Sequence, residues 1–315
     1  MPLGLSSPRL PGPMTLLGLL AGAEAGDMKQ TGFHRIVLAT DGSDDAEAAT
    51  SVAASFALAS GARVRVVHVW NLEVHHRNGV WDVETRNEAS NLIAQAVNRL
   101  RGLGIDADGE LERADGGHVA QAIAEAGRHF NADLVVLGSR GLVAQAMVRH
   151  STSHAVLSAV DCPVLVVRGA AGRLVLQPRR ILVAVAGGTD MATAMNAALA
   201  AGSAPGSKVL VLHVPMAIFA SGGLAYVESD EEIGDTVRKA MEILGDAGME
   251  GEVKVDKQGS VARTIAQAAS EWQADVIVIG SSRMGNLTSI LLGSVTHQLL
   301  HDTKIPVLVA EKALA

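Results

Sequence analysis

Ala132-Asp133-Leu134-Val135-Val136-Leu137-Gly138-Ser139 returns later in the chain, with conservative changes, as Ala274-Asp275-Val276-Ile277-Val278-Ile279-Gly280-Ser281. The correspondence continues on both sides. Arg35-Ile36-Val37-Leu38-Ala39 matches Arg180-Ile181-Leu182-Val183-Ala184, and Val66-Val67-His68-Val69 matches Val211-Leu212-His213-Val214 in the same register. After a length difference, Val119-Ala120 and Ile123-Ala124 match Val261-Ala262 and Ile265-Ala266. The last pair is Cys162-Pro163-Val164-Leu165-Val166 with Ile305-Pro306-Val307-Leu308-Val309. A repeat this long is a duplicated domain, since solenoid units are far shorter.

Within each copy, short β-branched runs alternate with Ala-rich segments of helical length. In the first copy the strands are expected at 35–40, 63–69, 133–138 and 163–168, with a weaker one at Glu110–Arg113. Helices are expected over Asp44–Ser60 and Glu84–Leu103, and Ser43 and Thr189 are N-cap candidates for the first helix of each copy. Alternation of this kind gives right-handed crossovers and a parallel sheet. The predicted fold is α/β: two tandem doubly wound five-stranded parallel sheets of order 3-2-1-4-5, Rossmann-like. Pro163 and Pro306 open the last strands, where a missing N–H is tolerable. The expected division is a leader at 1–32, domains at 33–168 and 179–315, and a linker at 169–178.

Composition agrees with this fold and narrows the function. Hydrophobic residues make up 48% but aromatic ones only 3%, so the core is built from Val, Ile, Leu and Ala, as buried parallel strands under Ala-rich helices require. The formal net charge of -7 argues against nucleic acid as a partner. Cys162 is the single cysteine, read as core filler in an apolar strand; it allows no internal disulfide, which suits a reducing, cytoplasmic location. No apolar run reaches the ~18 residues of a membrane span. Met14–Leu20 followed by Ala23-Glu24-Ala25 imitates a signal peptide, but only Arg9 supplies a positive n-region. The stretch reads as a disordered or spurious leader, with Met28 as an alternative start.

In a doubly wound sheet, ligands bind beyond the carboxyl ends of the strands where the order reverses, here between the first and fourth strands. The loops concerned are Thr40-Asp41-Gly42-Ser43 and Gly138-Ser139-Arg140-Gly141 in the first copy. In the second they are Val185-Ala186-Gly187-Gly188 and Gly280-Ser281-Ser282-Arg283, leading to Gly293-Ser294. A Gly-x-x-Gly, a spacer, a Gly-Ser pair and a helix ending before a Pro-Val-Leu-Val strand together resemble the universal stress protein family. The resemblance runs from Arg35 to Glu311, twice.

That resemblance implies an adenine-nucleotide site and ATP as the ligand, with Mg left open. Glycines let the backbone approach phosphates, the Gly-Ser pair opens a helix whose free N–H groups attract anions, and the strand-one Asp accepts from the nucleoside. The implied residues in the first copy are Thr40, Asp41, Val69, Gly138, Gly141 and Ser151. In the second they are Val214, Gly280, Arg283, Gly293, Ser294, Val295 and Thr296. Neither set is complete. The first copy has a loop one residue shorter and His150-Ser151 where Gly-Ser is expected. The second has Ala186 in place of the acid and Arg283 in place of the second glycine, where it clamps a phosphate or fills a site that no longer binds.

Other clusters carry less. His75-His76 with Asp82 and Glu84 reads as an exposed crossover and not a metal site. His68 and His213, at equivalent positions, read as packed and hydrogen-bonded, and Asp230-Glu231-Glu232 as an acidic helix start. There is no P-loop lysine and no base–nucleophile set. The family resemblance implies a stress-response regulatory protein with an ATP-sensing role, and the two incomplete residue sets make its pockets unlike. Two alternatives stay open: a nucleotide-independent interaction module for a regulatory protein partner, and an enzyme of the adenine-nucleotide α-hydrolase type. The family resemblance also implies an intramolecular pseudo-dimer, with Val164–Val167 against Val307–Val309, and leaves a further homodimer open.

Overall fold

The computed structural model describes residues 32–75, 79–82, 84–115, 118–139, 152–169, 177–186, 190–215, 217–220, 223–257, 259–280 and 294–310. The first repeat contributes β1 (Arg35–Ala39), α1 (Asp44–Ser60), β2 (Arg63–His75), β3 (Gly79–Asp82), α2 (Arg86–Gly102), β4 (Ala107–Asp115), α3 (Val119–Phe130), β5 (Leu134–Gly138), α4 (Thr152–Ala159) and β6 (Val164–Val167). The second contributes β7 (Arg180–Val185), α5 (Asp190–Ala201), β8 (Lys208–His213), β9 (Ala217–Ala220), β10 (Gly223–Tyr226), α6 (Asp230–Asp246), β11 (Glu250–Val255), α7 (Val261–Glu271), β12 (Val276–Gly280), α8 (Ser294–Asp302) and β13 (Val307–Ala310).

Parallel pairing runs β4-β2-β1-β5-β6 in the first repeat and β11-β8-β7-β12-β13 in the second, which is the order 3-2-1-4-5 in both. The two halves join edge to edge. β13 pairs antiparallel with β6, Leu308 opposite Leu165 and Val307 opposite Val166, giving one continuous eleven-stranded sheet. The strands are buried on both faces. Ile36, Leu38, Val64 and Val66 pack under α1 and α2, in one core with Ile181, Val183, Met195 and Leu244 of the second repeat. Val37, Val67, Val135 and Leu137 face the opposite core, with Ile123, Val156, Ile265 and Leu299 from α3, α4, α7 and α8.

The Ala-Asp step before the fourth strand of each repeat has a definite task. The Asp133 carboxylate accepts from the backbone N–H of His34 (2.7 Å) and Arg35 (2.9 Å), while its own N–H donates to Arg35 O (3.0 Å). Asp275 does the same for the N–H groups of Arg179 (2.9 Å) and Arg180 (3.0 Å). Each aspartate staples the start of its first strand to the start of its fourth, satisfying amides that the ladder has not yet reached.

Several expected elements differ in detail. α2 begins at Arg86, with Glu84 outside it, and β4 is longer than Glu110–Arg113. The segment around His75 is not an open crossover: β2 continues to His75 and β3 folds back against it, Leu72 opposite Asp82. A hairpin of β9 and β10 stands at the corresponding place in the second repeat. Cys162 lies just outside β6, half-buried at the core margin, because Pro163 cannot donate to the ladder and the strand starts at Val164. The prolines still serve the sheet through their carbonyls, which accept from Val135 N (3.0 Å) and Ile277 N (2.9 Å). The linker at 170–176, Thr189 and His76 lie outside the described residues.

Candidate functional site

β1 and β5 are neighbours and parallel, yet β1 leads into α1 on one face while β5 leads toward α4 on the other. The chain therefore parts beyond their carboxyl ends and leaves a crevice there. Thr40-Asp41-Gly42-Ser43 forms one lip. Asp41 Oδ1 accepts from Ser43 N (3.0 Å) and from Ser43 Oγ (2.5 Å), and Thr40 Oγ1 lies 3.4 Å from Gly42 N. Gly42 sits at φ +73°, where an L side chain is strained, and a Cβ there would come 2.7 Å from Cδ2 of Leu92 in α2. Ser43 caps α1 by accepting from Ala46 N, as the sequence indicated. The Asp41 carboxylate, on the exposed lip, is thus engaged with the loop that presents it.

Electrostatics divides the crevice. α1 carries Asp44, Asp45 and Glu47 in its first turn, so its own carboxylates occupy the positive end of its dipole and repel a phosphate. The first turns of α4 and α8 contain no acidic residue. In the first repeat an anion is therefore disfavoured at the start of α1.

Gly138, at the end of β5, lies directly under α1. A Cβ there would stand 2.6 Å from Asp45 C and 2.7 Å from Ala46 N. The glycine is required by the chain's own backbone, before any ligand is considered. Asp45 Oδ1 also accepts from Gly169 N (2.8 Å), fixing the exit from β6 to the same helix start.

Val69, within β2, and Val214, just past the end of β8, are half-buried against the α3/α7 side of the sheet. The residues before them, His68 and His213, are buried and hydrogen-bonded. His68 Nδ1 meets Thr40 O at 2.7 Å and Nε2 meets Glu84 Oε1 at 2.5 Å. His213 Nδ1 meets Val185 O at 2.9 Å, and Nε2 stands 2.9 Å from Glu228 Oε2, off the line of a ring N–H bond. Glu84 and Glu228 escaped the sequence reading as partners. The signal was present: Glu84-Thr85-Arg86-Asn87-Glu88 and Glu228-Ser229-Asp230-Glu231-Glu232 share the pattern Glu-Thr/Ser-x-x-Glu.

In the second repeat the first lip differs: Ala186 is exposed where the first repeat has Asp41. Gly280 ends β12 opposite Ala310 of β13. Ser294 opens α8 and is exposed, Val295 is half-buried and Thr296 is buried. Gly141, Ser151, Arg283 and Gly293 lie outside the described residues, as does His150.

The family model for the universal stress protein family matches residues 32–168 and again 178–311. The chain belongs to the universal stress protein family. A universal stress protein of Mycobacterium tuberculosis is 27% identical over 296 residues, covering 89% of this chain and 98% of that one. A shorter one from Thermus aquaticus is 36% identical over 140 residues, covering 43% of this chain and 99% of its own length. Among solved structures, a universal stress protein from Archaeoglobus fulgidus superposes with a TM-score of 0.69 at 20% identity, over 89% of this chain and 96% of that one. This universal stress protein therefore carries its family's domain twice, with the repeat-equivalent lips bearing Asp41 in one copy and Ala186 in the other.

Proposed function

We propose that this chain is a cytoplasmic stress-response regulatory protein and that its two crevices are unlike nucleotide sites. The observation that carries the reading is the pairing of an exposed carboxylate, Asp41, with the switch point of the first repeat, against Ala186 at the same point of the second. A carboxylate at that lip suits the hydroxyls or amino group of a nucleoside, while the acid-free first turns of α4 and α8 suit its phosphates. ATP is the ligand the family resemblance implies. Among the described residues no helix is long and apolar enough to cross a membrane. The two repeats act as an intramolecular pseudo-dimer, and the domains are taken as 33–168 and 179–315.

Equilibrium binding of labelled ATP to the purified full chain tests this. Saturable binding below millimolar ATP is expected, with Asp41→Ala weakening it about tenfold, the effect of one lost hydrogen bond to a charged group. Ser294→Ala reports separately on the second repeat. If neither change alters a measurable affinity, the site is misplaced.

A second reading has its own support: the close approach of α1 to Gly138 and the acids of its first turn both account for the loop without a ligand. On that reading the protein is a nucleotide-independent module for a regulatory partner. Absence of saturable binding at millimolar ATP decides for it.

A further inference from the structure

We propose that His68 and His213 are doubly protonated imidazolium rings, ion-paired with Glu84 and Glu228, and that each pair is a positioning latch for the lip of its crevice. The argument starts from what each partner can do. A backbone carbonyl only accepts, so the contacts of Nδ1 with Thr40 O (2.7 Å) and Val185 O (2.9 Å) place a proton on Nδ1 of each ring. In a neutral ring Nε2 would then be a bare acceptor. It faces a carboxylate oxygen at 2.5 Å in the first repeat and 2.9 Å in the second. At 2.5 Å two acceptors repel unless a proton lies between them; at 2.9 Å, off the line of an N–H bond, Nε2 of His213 and the Glu228 carboxylate repel unless the ring carries a charge.

The proton belongs on the ring. The glutamate side chains keep 22% and 24% of their exposure, so solvent supports the carboxylate charge, whereas the histidine side chains keep only 7% and 1%. A buried imidazolium is costly alone, and each of these has a carboxylate on one side and a carbonyl dipole on the other. The glutamates are themselves held. Trp70 Nε1 donates to Glu84 O (3.1 Å), and Thr85 and Ser229, the next residues, close capping boxes with Glu88 and Glu232.

Each latch ties the end of the first strand to the second strand and to the approach to the second helix: β1, β2 and α2 in one repeat, β7, β8 and α6 in the other. Thr40 directly precedes Asp41, and its N–H is already bound to Val67 O (2.9 Å). With its carbonyl also fixed, the peptide that presents Asp41 has one orientation. The second repeat keeps the device although Ala186 has replaced the acid. The arrangement is thus independent of whether ATP binds.

Long-range proton–nitrogen NMR of the 15N-labelled full chain at neutral pH tests the protonation without any variant. Both ring nitrogens of His68 and of His213 are expected to be protonated. A wild-type ring with one bare nitrogen overturns the proposal. Glu84→Gln, whose amide can donate to Nε2, should return His68 alone to a singly protonated ring and leave His213 unchanged. The positioning role is read by amide exchange: His68→Phe should speed exchange at Gly42 and Ser43 at least tenfold and His213→Phe should not. Equal rates at Gly42 and Ser43 in wild type and His68→Phe overturn that role, and since none of these readouts uses ATP, they stand or fall apart from the nucleotide reading.

Discussion

At Gly138 the distance between two backbones is set by the absence of one methyl group. α1 presents Ala46, Ala48, Ala49 and Ala53 to the sheet, small enough for the helix start to rest on the end of β5. Gly138→Ala puts a carbon within 2.6 Å of Asp45 C, so helix or strand must shift. The expected cost is about 1–3 kcal/mol, the usual range for overpacking, measured as a lower urea midpoint at unchanged slope. Asp133 acts at the other end of the same strand, and Asp133→Ala leaves two backbone amides without their charged acceptor, an expected loss of about 1.5–3 kcal/mol. Charge also enters at Asp108. Hydrogen bonding from Arg65 holds its carboxyl below the ordinary carboxylate range, against the opposing effect of burial, and the charges of Arg65 and Arg63 add to the lowering. A carboxylate whose folded value is depressed contributes its full stability above the unfolded value and loses it as pH falls through the folded one. Stability should therefore decline as acid enters and passes below the ordinary carboxylate range, and Asp108→Asn should flatten that part of the profile in urea titrations.

The second helices are started by reciprocal caps. In α2 the Thr85 hydroxyl accepts from Glu88 N while the Glu88 carboxylate accepts from Thr85 N (2.7 Å), and Ser229 with Glu232 repeats the arrangement in α6. Thr85→Ala is expected to cost about 1 kcal/mol, checked by the thermal midpoint and by amide exchange in the first turn of α2. These caps also show what could be read in advance. Strand order, register of the repeat and the cap at Ser43 follow from alternation and from local polar signals, which the chain states plainly. The hairpins were harder. Asn78-Gly79 carries turn chemistry, but the segment before it, with Glu73, His75, His76 and Arg77, lacks the apolar run of a central strand and reads as a crossover. The expectation for β4 leaves out Ala107-Asp108-Gly109 and Ala114-Asp115, where a glycine and acidic residues weaken the strand signal, whereas an edge strand tolerates charge on its outward rim. Within the site, Asp41, Ser43 and the glycines were legible as loop chemistry. That Gly138 answers to Asp45 and Ala46, or that Glu84 answers to His68, depends on elements brought together by the sheet, which no local pattern states.

For the whole molecule the decisive feature is the seam between β6 and β13. Leu165 lies opposite Leu308, its own counterpart in the repeat, and Val164 and Val166 lie opposite Val309 and Val307. A pairing that exchanges equivalent residues in this way is isologous, the geometry of a two-fold dimer built inside one chain. His154 and His297, also repeat equivalents, meet across the same seam with ring centroids 5.5 Å apart, and Arg168 of the first repeat donates to the carbonyls of Leu300 (3.2 Å) and His301 of the second. With both last strands consumed internally, the outer strands of the sheet are β4 and β3, both paired to β2, on one side and β11 on the other. β4 and β11 are guarded by charge: Asp108 and Glu110 with Arg65 on one, Glu250 with Lys208 on the other. The seam can be trapped chemically. Opposed Cα atoms of an antiparallel pair lie about 4.5–5.5 Å apart, within the span a disulfide bridges. In a Cys162→Ser background, which removes the chain's single cysteine, Leu165→Cys with Leu308→Cys should oxidise to a bond inside one chain. The product should migrate faster than the reduced form on a denaturing gel, at monomer mass, independent of protein concentration. A covalent dimer that grows with concentration would mean that the last strands exchange between chains, so that the seam joins two molecules and not two repeats.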